Sequence, residues 1–351
     1  MSDLLAMAEL PTDLHYVDDR RPGISRRKLR GHFAYFASTG ERLRDAAEID
    51  RINALAIPPA YTDVWICADA RGHLQATGRD ARGRKQYRYH ERWREVRDED
   101  KYSRLLQFGK LLPKVRQRIE HDLQSPGLGR DKVMAAVISL LDSTLIRVGN
   151  SQYARDNKSY GLTTLRSRHV DVHGSNIAFE FRGKSGVEHR VTVKDRRLAR
   201  LIKRCMDLPG QNLFQYLDEH GERHSVHSHD VNAYLQAITG ADFTAKDYRT
   251  WAGTTLALAL LRQLHWQPEP DARRHIVEMV KEVAHQLGNT PAVCRKCYIH
   301  PAVLEHFMLG ELARLPKARQ RKGLRMEEVA LASFLEGLTN APVRSTSAQV
   351  G

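Results

Sequence analysis

Three cations in the part of the chain where the helical period dominates have residue types that suit phosphate chemistry. Arg147 lies at the end of a predicted helix, and Arg249 lies three residues after Lys246 near the start of an apolar helix. Two cations at a helix N-terminus are unfavourable unless an anion binds there, so Arg249 is a better candidate phosphate ligand than Arg147. For Arg147 the ordinary interpretation is a cation in the last helical turn, which stabilises the helix dipole.

A lysine in a predicted hairpin turn could move a proton. Ile177, Phe179 and Phe181 alternate along a predicted strand, and the next four residues, Gly-Lys-Ser-Gly, form a turn that carries Lys184. A hairpin can project such a side chain into a site built by helices, where it would act as a proton donor. The ordinary interpretation is a solvated lysine at the tip of a turn.

A possible nucleophile follows a break between two predicted helices. Gly288 is placed to end one helix, Thr290 can cap the next, and Pro291 suits its first position. Tyr298 then falls two turns further along. A tyrosine on a short helix is ordinarily a packing residue, but the cations that directly precede Tyr298 would attract a phosphate if it were exposed.

The segment from Arg71 to Arg97 is strongly basic, with nine Arg and Lys residues against three acids. Cations neutralise phosphates, and interleaved Gln and Tyr side chains can reach base edges or pack on sugars. The segment therefore favours nucleic-acid binding over a merely solvated surface. The candidate contacts are Arg79, Arg82, Arg84, Lys85, Gln86, Tyr87, Arg88 and Tyr89.

Two groups of possible metal ligands are weaker candidates. Cys294 and Cys297 are spaced as Cys-x-x-Cys, but zinc needs four ligands, and Cys67 and Cys205 lie far away in the sequence. A metal or redox role is therefore disfavoured. A second group is interpreted as a polar loop before a helix, namely His224, His227, His229 and Asp230.

The composition excludes several classes of protein. The chain has 351 residues and a formal charge of +14, and it carries 18 basic and 14 acidic residues up to Arg97, so both parts are positive. A polyanion that contacts both parts is the leading explanation, although a high isoelectric point need not reflect a partner. No apolar run approaches the roughly 20 residues that span a bilayer. We expect no secretory leader, and the four cysteines indicate a reducing, cytoplasmic setting.

Pattern and composition divide the chain into five segments. They are a loosely ordered N-terminus (1–22), an α+β DNA-binding domain (23–97), a charged linker (98–102), a mainly α-helical domain (103–338) and a flexible tail (339–351). In the first domain a helix is expected within Glu41–Leu55, and strands are expected at Val64–Ala68 and His73–Gly78. In the second, Asp131 is expected to cap a helix that stops at Gly149.

Taken together, these features resemble the type IB DNA topoisomerases, in particular the compact poxvirus-like enzymes of bacteria. The resemblance covers roughly residues 20 to 335 and rests on the order of six motifs. They are Gly78–His90, Ile146–Asn150, Tyr160–Leu165, Gly183-Lys184, Lys246–Arg249, and Gly288–Pro291 with Tyr298. It implies an α+β fold, with a small strand-rich domain and a larger helical domain of the tyrosine recombinase and topoisomerase IB type.

The resemblance also implies a mechanism. Tyr298 would attack a DNA phosphodiester, expel the 5′-hydroxyl and form a 3′-phosphotyrosyl link. Arg147 and Arg249 would stabilise the charge that develops on the phosphate, and Lys184 would protonate the leaving oxygen. Lys246 would assist nearby. The free strand would swivel and be rejoined, so supercoiled DNA would be relaxed without ATP, metal or any other cofactor.

One position departs from the poxvirus pattern. Asn289 stands where those enzymes have a histidine, and the bacterial members resemble this chain in having Asn. The resemblance further implies that Gln86–Tyr89 contacts the major groove. It also implies a monomer whose two domains close as a clamp on duplex DNA, with a cytoplasmic, nucleoid-associated location.

Two alternatives remain at the level of sequence. Tyrosine recombinases share the Arg, Lys, Arg and Tyr roles, but they usually carry His-x-x-Arg where this chain has Lys246-x-x-Arg249, and their N-terminal domains are helical. The second alternative is a DNA-binding protein without catalytic activity.

Overall fold

The computed structural model describes residues 13–29, 31–81, 83 and 85–340, without the side chains of residues 94–101, 103, 152 and 340. It consists of two compact units, Met1–Ser103 and Arg104–Gly351. Two predicted DNA contacts, Arg82 and Arg84, lie outside the described residues, as do most of the predicted tail and the first part of the predicted N-terminal segment. No helix in the described part of the chain is long and apolar enough to cross a membrane.

The first unit is an antiparallel sheet with one helix on it. Its strands, in the spatial order β2-β1-β3-β4-β5, are β1 (Ile24–Leu29), β2 (His32–Phe36), β3 (Thr62–Ile66), β4 (Leu74–Arg79) and β5 (Lys85–Tyr89). Helix α1 (Ala46–Ala54) begins at the Asp45 cap, whose carboxylate accepts from the Ala47 amide. Its Ile52 packs with Ile24 and Ile66 in the core. The predicted helix and both predicted strands are confirmed, with bounds shifted by a few residues.

Helix α2 (Glu91–Gln124) contains the segment that was predicted to be a linker. Residues 98–102 are helical, although the boundary between the two units falls directly after them. The run is highly charged but has no Gly or Pro, and Arg, Lys and Glu are good helix formers. Charge alone therefore did not indicate a break in the helix.

The second unit is mainly helical and contains a small sheet. Its further helices are α3 (Arg130–Thr144), α4 (Ser151–Asn157), α5 (Arg196–Met206), α6 (Ser228–Thr239), α7 (Ala245–Gln263), α8 (Asp271–Leu287), α9 (Pro291–Cys297), α10 (Pro301–Met308) and α11 (Met326–Asn340). The antiparallel sheet has the order β6 (Val170–His173), β7 (Asn176–Arg182) and β8 (Glu188–Lys194). A ribbon is formed by β9 (Gln215–Leu217) and β10 (Arg223–Ser225). The predicted hairpin is confirmed as β7–β8.

An ion-pair network joins helices α2, α3 and α11. The Arg116 guanidinium donates to both oxygens of Glu328, at 2.7 and 2.8 Å, and to both oxygens of Asp142, at 2.8 and 2.9 Å. Burial alone would raise the pKa of Glu328, but the hydrogen bonds from Arg116 hold it below its usual value. One guanidinium thus links the buried Glu328 of α11 and the half-buried Asp142 of α3 to helix α2.

We predict that Arg116→Met lowers the free energy of unfolding by about 3–5 kcal/mol, because the buried Glu328 and the half-buried Asp142 lose their bidentate partner and keep only the more exposed Arg325. Urea unfolding measures the loss. The matched control is Arg325→Met at the exposed edge of the same network, which should cost less than about 1 kcal/mol. The pKa of Glu328 is lowered in the folded state, so its ionised carboxylate contributes stability that is lost as the pH falls through that pKa. The difference in the free energy of unfolding between Arg116→Met and the wild type should therefore become smaller in acid. Equal losses in the two variants would contradict this account.

Candidate active site

Arg147 lies in an irregular segment and not at the end of a helix. Helix α3 begins after Gly129, not at an Asp131 cap, and it ends at Thr144 because Leu145 adopts the left-handed conformation, with φ 57°. The prediction of a helix that continues to Gly149 is therefore wrong, and the helix dipole does not explain Arg147.

Long-range pairing holds this segment in place. The Arg147 carbonyl accepts from the Leu162 amide at 2.8 Å, and the Val148 carbonyl accepts from Thr163 at 2.6 Å. The backbone at Gly161 lies so close to the backbone at Arg147 that a side chain on Gly161 would collide with it. The predicted motif Tyr160–Leu165 thus acts as a support for Arg147.

The Arg147 side chain is half-buried against the turn between α8 and α9. Its Nη2 donates to the Gly288 carbonyl at 3.0 Å and to Asn289 Oδ1. Burial, together with the nearby Arg249, lowers the pKa of Arg147 to about 10. The guanidinium is still charged at neutral pH, in surroundings that disfavour the charge.

Arg249 is buried on α7 and connects the ends of two other helices. Its Nη1 donates to the carbonyl of Leu145, the C-cap of α3, and its Nη2 donates to the carbonyl of Leu287, the last residue of α8, at 2.6 Å. Helix C-terminal carbonyls carry partial negative charge and stabilise a cation. Burial nevertheless lowers the pKa of Arg249.

The start of α7 does not need an anion, contrary to the sequence argument. Thr244 caps the helix, and its hydroxyl accepts from the Lys246 amide at 3.3 Å. Asp247 in the first turn completes the capping box and offsets the two cations. Arg249 is therefore placed by its carbonyl partners and not by the dipole of α7.

Tyr298 is the C-cap of helix α9 and lies beside Arg249. The Arg249 guanidinium carbon is 5.3 Å from the centre of the half-buried Tyr298 ring. The Tyr298 amide donates to the Cys294 carbonyl at 2.9 Å, and its carbonyl accepts from the Thr254 hydroxyl at 3.2 Å. The helix break predicted from Gly288, Thr290 and Pro291 is confirmed in each detail.

Asn289 contacts Arg147 through only one end of its amide. Oδ1 accepts from Arg147, whereas the buried Nδ2 has no hydrogen-bond acceptor among the described residues, and the same holds for Arg249 Nε. Two buried donors in one cluster therefore lack a protein acceptor, and either could donate to an oxygen of a bound anion.

The two lysines stand apart from this cluster. Lys184 begins the turn between β7 and β8 and is exposed, and Lys246 is exposed one turn before Arg249. The structure thus brings together Arg147, Arg249, Asn289 and Tyr298. For the ammonium groups of the two lysines, no contact with that cluster is present among the residues described.

The cysteine pair does not form a metal site with other ligands in the described part of the chain. Cys294 is fully buried beside the site, and burial raises the pKa of its thiol. The metal-ligand geometry that does occur, Asp218, Glu222 and His224, lies on the exposed β9–β10 ribbon, and it includes one residue of the predicted polar loop.

His189 was missed by the sequence analysis. It lies on β8, stacks on Phe181 with ring centres 5.0 Å apart, and points to the same side as the half-buried Val191 and Val193. Burial, and then the nearby Arg147 and Arg249, lower the pKa of His189. The alternation along β8 was the one available sign that this side chain faces inward.

The predicted DNA contacts that the structure describes in the first unit lie on β4 and β5. Tyr87 and Tyr89 stack with ring centres 6.0 Å apart, next to Lys85 on the same face. Lys85 forms an ion pair with Asp19. Burial alone would raise the pKa of the Asp19 carboxyl, but Lys85 and Thr77 hold that pKa below its usual value.

Three further members of this set, Arg79, Gln86 and Arg88, also have protein partners. Arg79 lies 3.4 Å from the Asp63 carboxylate, and Gln86 donates to Asp80 at 3.0 Å. Arg88 donates to the Ala56 carbonyl at 3.1 Å.

Comparison with known proteins identifies similar proteins over nearly the whole chain. Residues 90–321 match the family model "Eukaryotic DNA topoisomerase I, catalytic core", and residues 32–80 match "Bacterial DNA topoisomerase IB, N-terminal domain". DNA topoisomerase 1B of Acanthamoeba polyphaga mimivirus is 35% identical over 291 residues, which are 81% of this chain and 87% of the relative. DNA topoisomerase I of Monkeypox virus and DNA topoisomerase 1B of Vaccinia virus (strain Copenhagen) are each 23% identical over 71% of this chain and 78% of their own length.

We predict that Arg147→Met does not destabilise the protein and raises its free energy of unfolding by about 0.5–2 kcal/mol, because burial and the nearby Arg249 disfavour the charge of Arg147. Arg147 binds its proton less tightly when folded, so the wild type should gain stability as the pH rises between about 10 and 12.5, and the variant should not. Urea unfolding tests both statements. A loss above about 2 kcal/mol would instead make Arg147 a structural residue.

Proposed function

This chain belongs to the type IB DNA topoisomerases, and from that premise we propose that Tyr298 is its nucleophile and that Arg147, Arg249 and Asn289 bind the scissile phosphate. The protein is a DNA-relaxing isomerase. The tyrosine recombinase alternative shares the phosphate chemistry, but the first unit is a sheet and matches a topoisomerase domain. We assign the helical unit to the fold type that the two enzyme classes share.

One observation carries the assignment of the phosphate site. Arg147 and Arg249 are adjacent, their pKa values are both lowered by burial, and no carboxylate among the described residues acts on either guanidinium. Two neighbouring cations, Arg249 buried and Arg147 half-buried, are costly without a counter-ion, and a bound phosphodiester would supply the negative charge. That charge grows at the transition state, where fixed donors stabilise it most.

The proposed first step is an in-line substitution at phosphorus. The Tyr298 oxygen bonds to the phosphorus, the bond to the 5′-oxygen breaks, and the tyrosine becomes linked to the 3′-phosphate. Because the new ester conserves the energy of the broken bond, the reverse reaction can rejoin the strand after it has swivelled. The position of Arg249 over the Tyr298 ring supports this role, since it places a cation beside the side chain that would react.

Asn289 is proposed to donate to a non-bridging oxygen of the phosphate. Arg147 donates to Oδ1, which orients the amide and leaves Nδ2 as the donor on the other side. An Asn contributes a neutral hydrogen bond, whereas the histidine of poxvirus enzymes can carry a charge. Because the two arginines already supply two charges, a neutral donor suffices at this position.

Lys184 is proposed to be the general acid, and Lys246 to assist near the phosphate. Protonation of the leaving oxygen requires a donor on the opposite side of the phosphorus from Tyr298, and a long side chain on an exposed turn can reach such a position. Lys246 lies one helical turn from Arg249. The proposal also includes duplex DNA held by a monomer that closes as a clamp, with β5 against the major groove, in the cytoplasm at the nucleoid.

We predict that Tyr298→Phe abolishes relaxation of supercoiled plasmid and formation of the covalent adduct, because only the reacting oxygen is removed, while binding to duplex DNA is retained. Gel assays and adduct trapping with peptide mapping measure the two activities. Tyr153→Phe, at an exposed tyrosine of α4, is the matched control and should behave as wild type. Relaxation that survives in Tyr298→Phe would rule out Tyr298 as the nucleophile.

We predict that Asn289→His retains cleavage and religation, because the imidazole can donate to the same oxygen. Asn289→Ala removes the donor and should slow single-turnover cleavage about 10²–10³-fold, the usual cost of losing one such donor. Complete loss of cleavage in Asn289→His, together with near-normal cleavage in Asn289→Ala, would remove Asn289 from the site.

A further inference from the structure

His189 lies where the turn that carries Lys184 approaches the turn that carries Asn289. A Cβ atom on Gly183 would lie 2.6 Å from His189 Cδ2 and Nε2, and one on Gly288 would lie 2.5 Å from Cε1. The Nε2 end of the imidazole therefore fills the gap between the two glycines, with Cδ2 towards Gly183 and Cε1 towards Gly288. Phe181 stacks on the face of the ring, with an interplanar angle of 9°.

Each turn is tied to a proposed active-site residue. Gly183 directly precedes Lys184, and its amide donates to the Val187 carbonyl at 2.7 Å, which closes the turn. Gly288 directly precedes Asn289, and its carbonyl accepts from Arg147. The ring therefore spans from the turn of the proposed general acid to the turn of the phosphate ligands.

The His189 ring contacts the two turns by van der Waals packing and not by hydrogen bonds. Neither ring nitrogen of His189 hydrogen-bonds to any residue that the structure describes. Its pKa is lowered by burial first and then by the two arginines, so the ring is uncharged at neutral pH and adds no third cation. Close packing of such a rigid planar group fixes the separation of the elements it touches.

We propose that His189 is a positioning residue for the leaving-group side of the reaction: its ring sets the distance between the Lys184 turn and the phosphate-binding turn. This rests on the proposed role of Lys184 as general acid. In that step the bond from phosphorus to the 5′-oxygen breaks, and the lysine ammonium gives its proton to that oxygen. A displacement of about 1 Å can slow such a transfer about 10²-fold.

A change of leaving group distinguishes a positioning role of His189 from a general structural role. A substrate with sulphur in place of the 5′-bridging oxygen leaves as a thiolate, which needs no proton because thiols are far more acidic than alcohols. We expect His189→Ala to slow single-turnover cleavage of the ordinary DNA about 10²-fold and to cleave the phosphorothiolate DNA at nearly the wild-type rate. His173→Ala, at an exposed histidine of the same sheet, is the control and should match wild type on both substrates.

A second set of variants tests whether the ring acts through the Lys184 turn. Gly183→Ala directs a methyl group at the ring without a left-handed backbone, since Gly183 has φ −91°. Gly183→Ala should slow cleavage of ordinary DNA but not of phosphorothiolate DNA. Combined with His189→Ala, which removes the ring, it should cause no further loss of rate. In a Lys184→Ala background, His189→Ala should also add nothing.

Three results would overturn the proposal. They are a normal rate for His189→Ala, an equal loss on both substrates, and a loss that multiplies with that of Lys184→Ala, which would make the imidazole an independent proton donor. Failure of the premise looks different: Lys184→Ala would then cleave ordinary DNA normally or would not be rescued by sulphur, whatever His189→Ala does.

Discussion

Two adjacent guanidiniums, held by backbone carbonyls instead of carboxylates, are the constraint on which the second unit of this protein depends. Arg249 donates to the last carbonyls of α3 and α8, and Arg147 donates to the carbonyl of Gly288 just beyond α8. A carboxylate would have stabilised either cation better, but it would also have repelled a phosphate. Helix ends offer partial charges that fix the side chains and leave most of their positive charge available.

This arrangement makes the ends of helices the framework of the site. Helix α3 must stop at Thr144 for its C-cap to meet Arg249, and α8 must stop at Leu287 for the same reason. Helix α9 begins four residues after α8 ends and carries the tyrosine at its far end. Arg116 differs from these two arginines in its acceptors, since its guanidinium donates to two carboxylates and stabilises the packing of three helices.

Local rules predicted part of the site and missed the part set by distant pairing. The break at Gly288, Thr290 and Pro291 follows from glycine, cap and proline preferences, so it could be predicted in detail. The segment around Arg147 could not, because a left-handed Leu145 and pairing with Leu162 and Thr163 decide it. The position of the His189 ring could not be predicted either, because it contacts two glycines, Gly183 and Gly288, that are far apart in the sequence. In the first unit, an apolar run and the turn residues that follow it were sufficient for β3 and β4, whereas charge did not show that residues 98–102 are helical and lie within α2.

The pairing of Lys85 with Asp19, and of Arg79 with Asp63, changes what the net charge of this protein means. Cations that already hold a carboxylate attract fewer small counter-ions from solution. A phosphate that binds such a cation must compete with an acid of the same chain, so the cation neutralises the phosphate less fully than a bare cation would. If β5 binds DNA as proposed, fewer condensed cations would leave the DNA than the count of basic residues suggests, and the affinity would fall less steeply with added salt.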